Sequence, residues 1–234
     1  MRTVVLLSAG HHPASARPAP VPVEMQAIRL ASDLGMPPYG LHVGQDEAPV
    51  RDALGHGLSR LVVLQTADPD PLEALRAHFA DVPPDVIFAG RRGQGGSDTG
   101  LLPYRLAHRL GWPIVADIAR LSRSATVLRA EQVLPRGDRR IIEAPLPCIF
   151  TVHPAAAPAL PFRYAGLRGE IVVRPYSAAT PVTEAHSADL RPYRARPKIM
   201  AQTAGGGRVM TGVSPEAAAS AVIAELRRLK LCPS

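Results

Sequence analysis

The sequence predicts an α/β protein: a parallel sheet with helices on both faces, extended by extra strands and by a C-terminal arm ending in a helix. Three observations carry that prediction. Short apolar runs at residues 3–7, 39–43, 61–64 and 86–89 alternate with stretches whose large apolar residues recur at helical spacing. The run Val86-Ile87-Phe88-Ala89 has no polar alternation, so it needs cover on both faces. A strand, a glycine-rich loop and a helix then follow one another between residues 86 and 110.

In chain order, Thr3 opens a first buried strand that ends at Leu7, before the small residues Ser8-Ala9-Gly10. Small residues at a strand's C-terminal edge let a ligand approach the backbone. Residues 11–22 are proline-rich and irregular. Met25, Ile28, Ala31 and Leu34 then mark a helix over 23–34, stopped by Gly35. A second strand spans 39–43 before Gly44, and residues 48–54 read as a short helix before Gly55-His56-Gly57. Residues 61–64 form a third strand, Leu72, Leu75 and Phe79 a helical face over 71–79, and residues 86–89 a fourth strand. Leu102, Leu106 and Leu110 form the next helix, ended by Gly111 and the turn Trp112-Pro113.

Beyond Pro113 strands follow one another at 114–121, 125–134, 139–143 and 148–152, with Pro135-Arg136-Gly137-Asp138 as a hairpin turn. Residues 155–161 are an extended connector, and residues 177–197, poor in large apolar groups, lie along a surface of this chain or a partner. Ala204-Gly205-Gly206-Gly207 is a flexible joint. Ser214-Pro215-Glu216 is a strong helix start: a capping serine, proline at the first helical position and an acid in the first turn. Ala218, Val222, Leu226 and Leu229 share one face of that helix. The organisation expected is one α/β domain over 1–175, its glycine loop placed to bind a nucleotide, and an arm with its helix over 176–234 that packs on its own domain or crosses to another subunit, which spacing does not decide.

Composition narrows the function. A hydrophobic fraction of 46% supports a packed core, while 4% aromatic residues argue against base stacking as the main activity. The net charge of +7 suits an acidic or phosphate-bearing partner. Cys148 and Cys232 stand far apart without metal-ligand spacing, which argues against a disulfide framework or a zinc site. The apolar run at the N-terminus is too short for a signal peptide and no segment approaches a membrane span, so a cytoplasmic protein is expected.

The chemistry concentrates in the loop from Gly90 to Gly100, with glycines also at 93, 95 and 96 and polar side chains at Gln94, Ser97, Asp98 and Thr99. Glycines admit the backbone to a ligand, and the N–H groups and dipole of a following helix favour an anion. The loop carries neither a P-loop ending nor the dinucleotide fingerprint. The histidines are scattered and lack an evident carboxylate partner, and no serine sits in a nucleophile elbow. His153, ending a strand, is the one best placed to face a cofactor. No catalytic residue is assigned.

With these residues in view, the chain resembles the beta subunits of electron transfer flavoproteins. The match runs through Gly90, Asp98-Thr99-Gly100, Leu106-Ala107, Leu110-Gly111-Trp112-Pro113, Leu146-Pro147 with Thr151, Arg163-Tyr164 and Ser214-Pro215-Glu216-Ala217-Ala218. The resemblance implies an adenine-nucleotide-hydrolase-like, Rossmann-like fold. It implies a heterodimer with an alpha subunit that holds most of the FAD, and an AMP buried in the beta subunit, replaced by a second FAD in bifurcating members. It also implies electron transfer from a flavoprotein dehydrogenase to a quinone reductase of the respiratory chain, with no independent catalysis. The nucleotide contacts implied are Ala9, Gly44, Gly90, Arg91, Gln94, Gly95, Gly96, Ser97, Asp98 and Thr99.

Four departures accompany the match. Ser8-Ala9-Gly10-His11 stands in place of the family's lysine-bearing loop, and Val21-Pro22-Val23-Glu24 in place of its NPxD-like segment. The family's acidic loop is here basic, Arg91-Arg92-Gly93, and arginine pairs well with phosphate. The docking loop after Arg163-Tyr164 is short, as in beta subunits dedicated to one dehydrogenase. An alternative of a different class is a universal-stress-type sensor on a similar fold, which would bind ATP or AMP without a flavoprotein partner; the long basic arm counts against it.

Overall fold

A computed structural model describes residues 1–12, 14–35, 37–92, 99–124, 127–177 and 210–229. Contacts divide the chain into two units, Met1–Pro181 and Val182–Ser234.

The first unit is built on one nine-stranded sheet. Its strands are β1 (Thr3–Leu7), β2 (Tyr39–Gly44), β3 (Arg60–Gln65), β4 (Val86–Gly90), β5 (Ile114–Ser124), β6 (Val127–Val133), β7 (Arg139–Ala144), β8 (Cys148–Val152) and β9 (Glu170–Pro175). The spatial order is β7-β6-β5-β8-β4-β1-β2-β3-β9. Every neighbouring pair from β5 to β9 is parallel. β6 pairs antiparallel with both β5 and β7, and the β6–β7 pairing gives the hairpin expected at Pro135-Arg136-Gly137-Asp138. The chain builds β1, β2 and β3 outward to one side and then places β4 on the opposite flank of β1. A crevice outside the carboxyl ends of β1 and β4 follows from that reversal.

Successive strand residues point to opposite faces, and each face has its own core. Val5, Leu7, Phe88 and Phe150 pack with Met25, Ile28 and Ala31 of helix α1 (Pro22–Asp33). Val4, Leu6, Ile87 and Ile149 pack with Leu72, Leu75 and Phe79 of α2 (Leu72–Asp81) and with Leu106 and Ala107 of α3 (Leu102–Leu110). Val4, Val5, Ile87, Phe88, Ile149 and Phe150 are fully buried. Each such side chain contributes about 1.5–3 kcal/mol relative to exposure, so the strands without polar alternation sit in the middle of the sheet. The helices stop where the sequence says: Gly35 after α1 and Gly111 after α3 take left-handed φ of 82° and 67°.

Two elements differ from the expectation. Residues 48–54 form no α-helix; a 3-10 turn, Arg51–His56, replaces it, closed by Gly57 at φ 105°. Its Ala53 N–H bonds the Val50 carbonyl three residues back, the tighter pitch that short helical pieces adopt. The sequence reading also ended the strands at Val152, whereas β9 adds an edge strand paired along β3. A second 3-10 turn, Tyr164–Arg168, leads into it and packs on the first, with Gly166 facing the Leu54 carbonyl.

Of the second unit, α4 (Pro215–Arg228) is described, and it begins as its sequence requires, Ala217 N–H donating to Ser214 Oγ at 3.3 Å. Val222, Ile223 and Leu229 are exposed on it. The expectations for residues 178–209, for Ala125 and Thr126, and for Cys232 lie outside the described residues.

Candidate functional site

Parallel strands bring three of the small residues singled out in the sequence to one edge. Ala9 follows β1, while Gly44 and Gly90 are the last residues of β2 and β4. Ala9 is half-buried, and Ser8 beside it likewise; Gly10 is buried. A Cβ on Gly90 would lie 3.1 Å from Val23 Cγ1 and 3.2 Å from Glu24 Cγ, so the end of β4 fits closely against the first turn of α1. Gly100, at φ 72°, turns the chain from the loop into α3, and a Cβ there would lie 3.1 Å from the Arg91 carbonyl. Thr99 Oγ1 accepts the Leu101 N–H at 3.3 Å, a local bond that opens α3.

The exit of β1 is gripped from both sides by buried titratable groups. From α1, Glu24 is 3% exposed; its Oε2 accepts the Ser8 N–H at 2.9 Å and its Oε1 lies 2.5 Å from Ser8 Oγ. Burial pushes the Glu24 carboxyl up to about 8, against the opposing pull of the two Ser8 hydrogen bonds. From β2, His42 Nδ1 lies 2.9 Å from the Leu7 carbonyl, and the ring is 3% exposed. A carbonyl only accepts, so Nδ1 carries the proton. Burial lowers the His42 pKa, which keeps the ring neutral and leaves Nε2 an acceptor.

The other flank holds a charge pair. Arg91, the first residue after β4, places Nε 3.2 Å from Asp117 Oδ1. That buried oxygen receives no aligned hydrogen bond among the described residues, so Coulomb attraction is what holds the pair. Asp117 reaches its position through a bulge in β5 between Val115 and Ile118 and a left-handed φ of 56°. Its N–H donates to Oγ1 of the buried Thr151 of β8 at 2.9 Å, which steadies an otherwise strained backbone. Arg91 itself is 56% exposed, at the rim of the crevice.

Ala9, Gly44, Gly90, Arg91 and Thr99 therefore all lie at the carboxyl-end edge of the sheet or at the loop's return from it. Gln94, Gly95, Gly96, Ser97 and Asp98 lie outside the described residues. Sequence reasoning missed Glu24 and Asp117 as site residues. Glu24 carried a signal, an acid in a helix's first turn; Asp117 carried none, because the bulge that turns it is a property of strand pairing.

The remaining candidates have structural partners. His153 Nδ1 accepts the Ala155 N–H at 3.1 Å, closing a turn after β8. Cys148 is fully buried, and burial pushes its thiol up to about 11, so it is unreactive. Among the described residues no group of histidines, cysteines and carboxylates is placed to hold a metal ion, and no helix is long and apolar enough to cross a membrane.

The sequence profile of the electron transfer flavoprotein domain matches residues 14–189. The electron transfer flavoprotein subunit beta of Chromohalobacter salexigens is 32% identical over 254 aligned positions, covering 97% of this chain and 94% of that protein.

Proposed function

We propose, from the premise that the chain belongs to the electron transfer flavoprotein family as a beta subunit, that it buries AMP in the β1/β4 crevice and supports the FAD of an alpha subunit. The observation carrying this reading is the convergence of Ala9, Gly44, Gly90 and Arg91 at the switch point of a parallel sheet. The residues fit an adenine nucleotide. The strand exits are lined by small residues, Arg91 supplies a guanidinium for phosphate, and Glu24 and His42 bring no negative charge when neutral. Ala9, Gly44 and Gly90 admit the nucleotide and Arg91 and Thr99 meet its phosphate, with Gln94, Gly95, Gly96, Ser97 and Asp98 as the further contacts that the family resemblance implies.

The flavin, when bound, supplies the electron-transfer chemistry, and this chain adds no catalytic group of its own. Its contribution is to hold the nucleotide, exclude water and dock the alpha subunit through the arm after residue 175 and its terminal helix. The complex takes electrons from a flavoprotein dehydrogenase in the cytoplasm and passes them to a quinone reductase of the respiratory chain. The shortened segment after Tyr164, folded as a tight 3-10 turn against Arg51–His56, supports service to one dedicated dehydrogenase.

The test is to purify the chain with its alpha partner, release bound small molecules by denaturation and identify them by mass and absorption. One AMP and one FAD per heterodimer are expected. A chain that forms no complex with the alpha subunit, or that holds ATP by itself, overturns the proposal.

A further inference from the structure

We propose that His42 reads the nucleoside part of the bound nucleotide, its Nε2 accepting one hydrogen bond from a neutral donor, either a ribose hydroxyl or the amino group of the base. The inference rests on the nucleotide reading above and deepens it with a contact at the exit of β2.

The ring is fixed at one nitrogen and spare at the other. Nδ1 donates to the Leu7 carbonyl at 2.9 Å, which ties the ring to the last residue of β1. A neutral imidazole protonated at Nδ1 carries its lone pair on Nε2. Among the described residues Nε2 meets no donor, although His42 is only 3% exposed. A buried acceptor without a donor is costly, so the position calls for a partner.

Gly44 shows where that lone pair points. It lies two residues beyond His42 on the same face of β2 and is the last residue of the strand. Around the place a Cβ on Gly44 would take, the three nearest atoms all belong to the His42 ring: Nε2 first, then Cε1 at 3.0 Å and Cδ2 at 3.3 Å. The imidazole therefore leans along the strand toward its carboxyl end, with the Nε2 corner leading into the space that a side chain at position 44 would fill. Glycine keeps that space free. Gly44 is half-buried and Gln45 and Asp46 after it are exposed, so the space lies where the strand reaches the surface.

Charge decides which donor fits. Burial lowers the His42 pKa against the opposing pull of the Asp46 carboxylate, which keeps the ring neutral. An uncharged lone pair repels a phosphate oxygen and accepts from a hydroxyl or an amino group. The phosphate has its own partner on the other flank of β1. The strands stand in the order β4-β1-β2, so the exits that carry Arg91 and Gly44 are two strand spacings apart, about 9–10 Å. A nucleotide lying across the exit of β1, phosphate toward β4 and nucleoside toward β2, spans that interval.

The experiment titrates the heterodimer, stripped of nucleotide, by calorimetry with AMP, IMP, 2′-deoxy-AMP and 3′-deoxy-AMP. IMP carries a carbonyl in place of the base amino group, and each deoxy analogue lacks one ribose hydroxyl. The analogue without the donor that His42 accepts is expected to bind the wild type about tenfold more weakly than AMP. His42→Asn places its amide where Nδ1 donates to Leu7 and removes the Nε2 acceptor. It is expected to bind AMP about tenfold more weakly and no longer to distinguish AMP from that analogue. Discrimination lost against IMP assigns the base amino group; discrimination lost against a deoxy analogue assigns the ribose hydroxyl. A wild type that binds all four ligands alike overturns the inference without any variant. His42→Asn with undiminished discrimination also overturns it, because the ring would then only brace β2 against β1. In both cases AMP still binds and the nucleotide reading stands. AMP that fails to bind the wild type overturns that reading and the inference with it.

Discussion

Arg91 and Asp117 follow or belong to strands that are not neighbours, yet their Nε and Oδ1 lie 3.2 Å apart across the end of β8. The bulge in β5 and the left-handed φ of Asp117 at 56° exist at the point where β5 must turn a side chain toward the exit of β4. An aspartate on Nε leaves the opposite edge of the guanidinium for an incoming anion.

Arg91→Ala is therefore expected to weaken AMP binding to the heterodimer by about tenfold or more, the loss of a charge-assisted contact. Asp117→Asn, which keeps a side chain tolerant of left-handed backbone, should cost less, roughly threefold, because it only loosens the arginine. A double-mutant cycle by calorimetry checks the link: the Asp117 effect should vanish once Arg91 is gone. Two independent, additive effects would mean that Asp117 does not act through Arg91.

Glu24 sets a pH dependence of stability that runs opposite to the usual carboxylate. Its ordinary value is 4.5 and its native value about 8. Between those limits the native state holds a proton that the unfolded chain has lost, so its contribution is full below the lower limit and falls as pH rises through the upper one. At 1.36 kcal/mol per unit the loss is bounded by about 4–5 kcal/mol. Glu24→Gln should therefore melt increasingly above wild type as pH rises from about 5 to about 9. His42 and His78, whose pKa values burial lowers, act in the other direction and erode stability as pH falls below 6.5. A melting-temperature gap between Glu24→Gln and wild type that stays constant across the range would contradict the assignment.

The central sheet was legible because β1, β3, β4 and β8 are buried on both faces and advertise it with unbroken apolar runs. β9 was not, since Ile171, Val172 and Val173 form a short run flanked by Glu170 and Arg174, the dilution that edge strands tolerate. The exits of β1 and β4 were legible through Ser8-Ala9-Gly10 and Gly90, small residues that follow apolar runs, whereas Gly44 was singled out only through the family resemblance. Arg91 could be named, but its partner could not: strand order alone brings Asp117 across β8, and sequence spacing does not encode strand order. Glu24 looked like an ordinary first-turn acid, and its meaning comes from Ser8, which the irregular connection over residues 8–21 folds back onto α1.

Gly166 is where the two 3-10 turns touch. A Cβ there would lie 2.5 Å from the Leu54 carbonyl oxygen and 3.0 Å from Gly55 Cα, both backbone atoms that cannot step aside. Gly166→Ala is expected to destabilise the chain by about 2 kcal/mol, as overpacking does, and to expose the 160–168 segment to limited proteolysis. Gly35→Ala serves as a control, because it meets nothing within 4 Å and suffers only from its φ of 82°. It should cost about 1 kcal/mol and leave that segment protected. Equal effects of the two variants on cleavage would remove the contact as the cause.

The terminal helix carries the reading of a partner subunit. Val222, Ile223 and Leu229 are 59%, 47% and 51% exposed on a helix of 14 residues. A helix of that length is marginal in water by itself, and its stability in proteins comes from burying an apolar face. Ser214 capping adds about 1 kcal/mol, and the Glu225–Arg228 pair, at 2.5 Å on an exposed surface, is screened by water and adds little. The proposed cover for these apolar side chains is an alpha subunit. Val222→Glu together with Ile223→Glu should leave the melting of the 1–181 unit unchanged and weaken the heterodimer by about tenfold or more, since anchors buried at an interface dominate its affinity. Gel filtration with the alpha subunit and FAD retention by the complex read the two sides of that expectation. A heterodimer that survives the double substitution at full affinity would assign the helix to this chain alone and move the docking surface elsewhere.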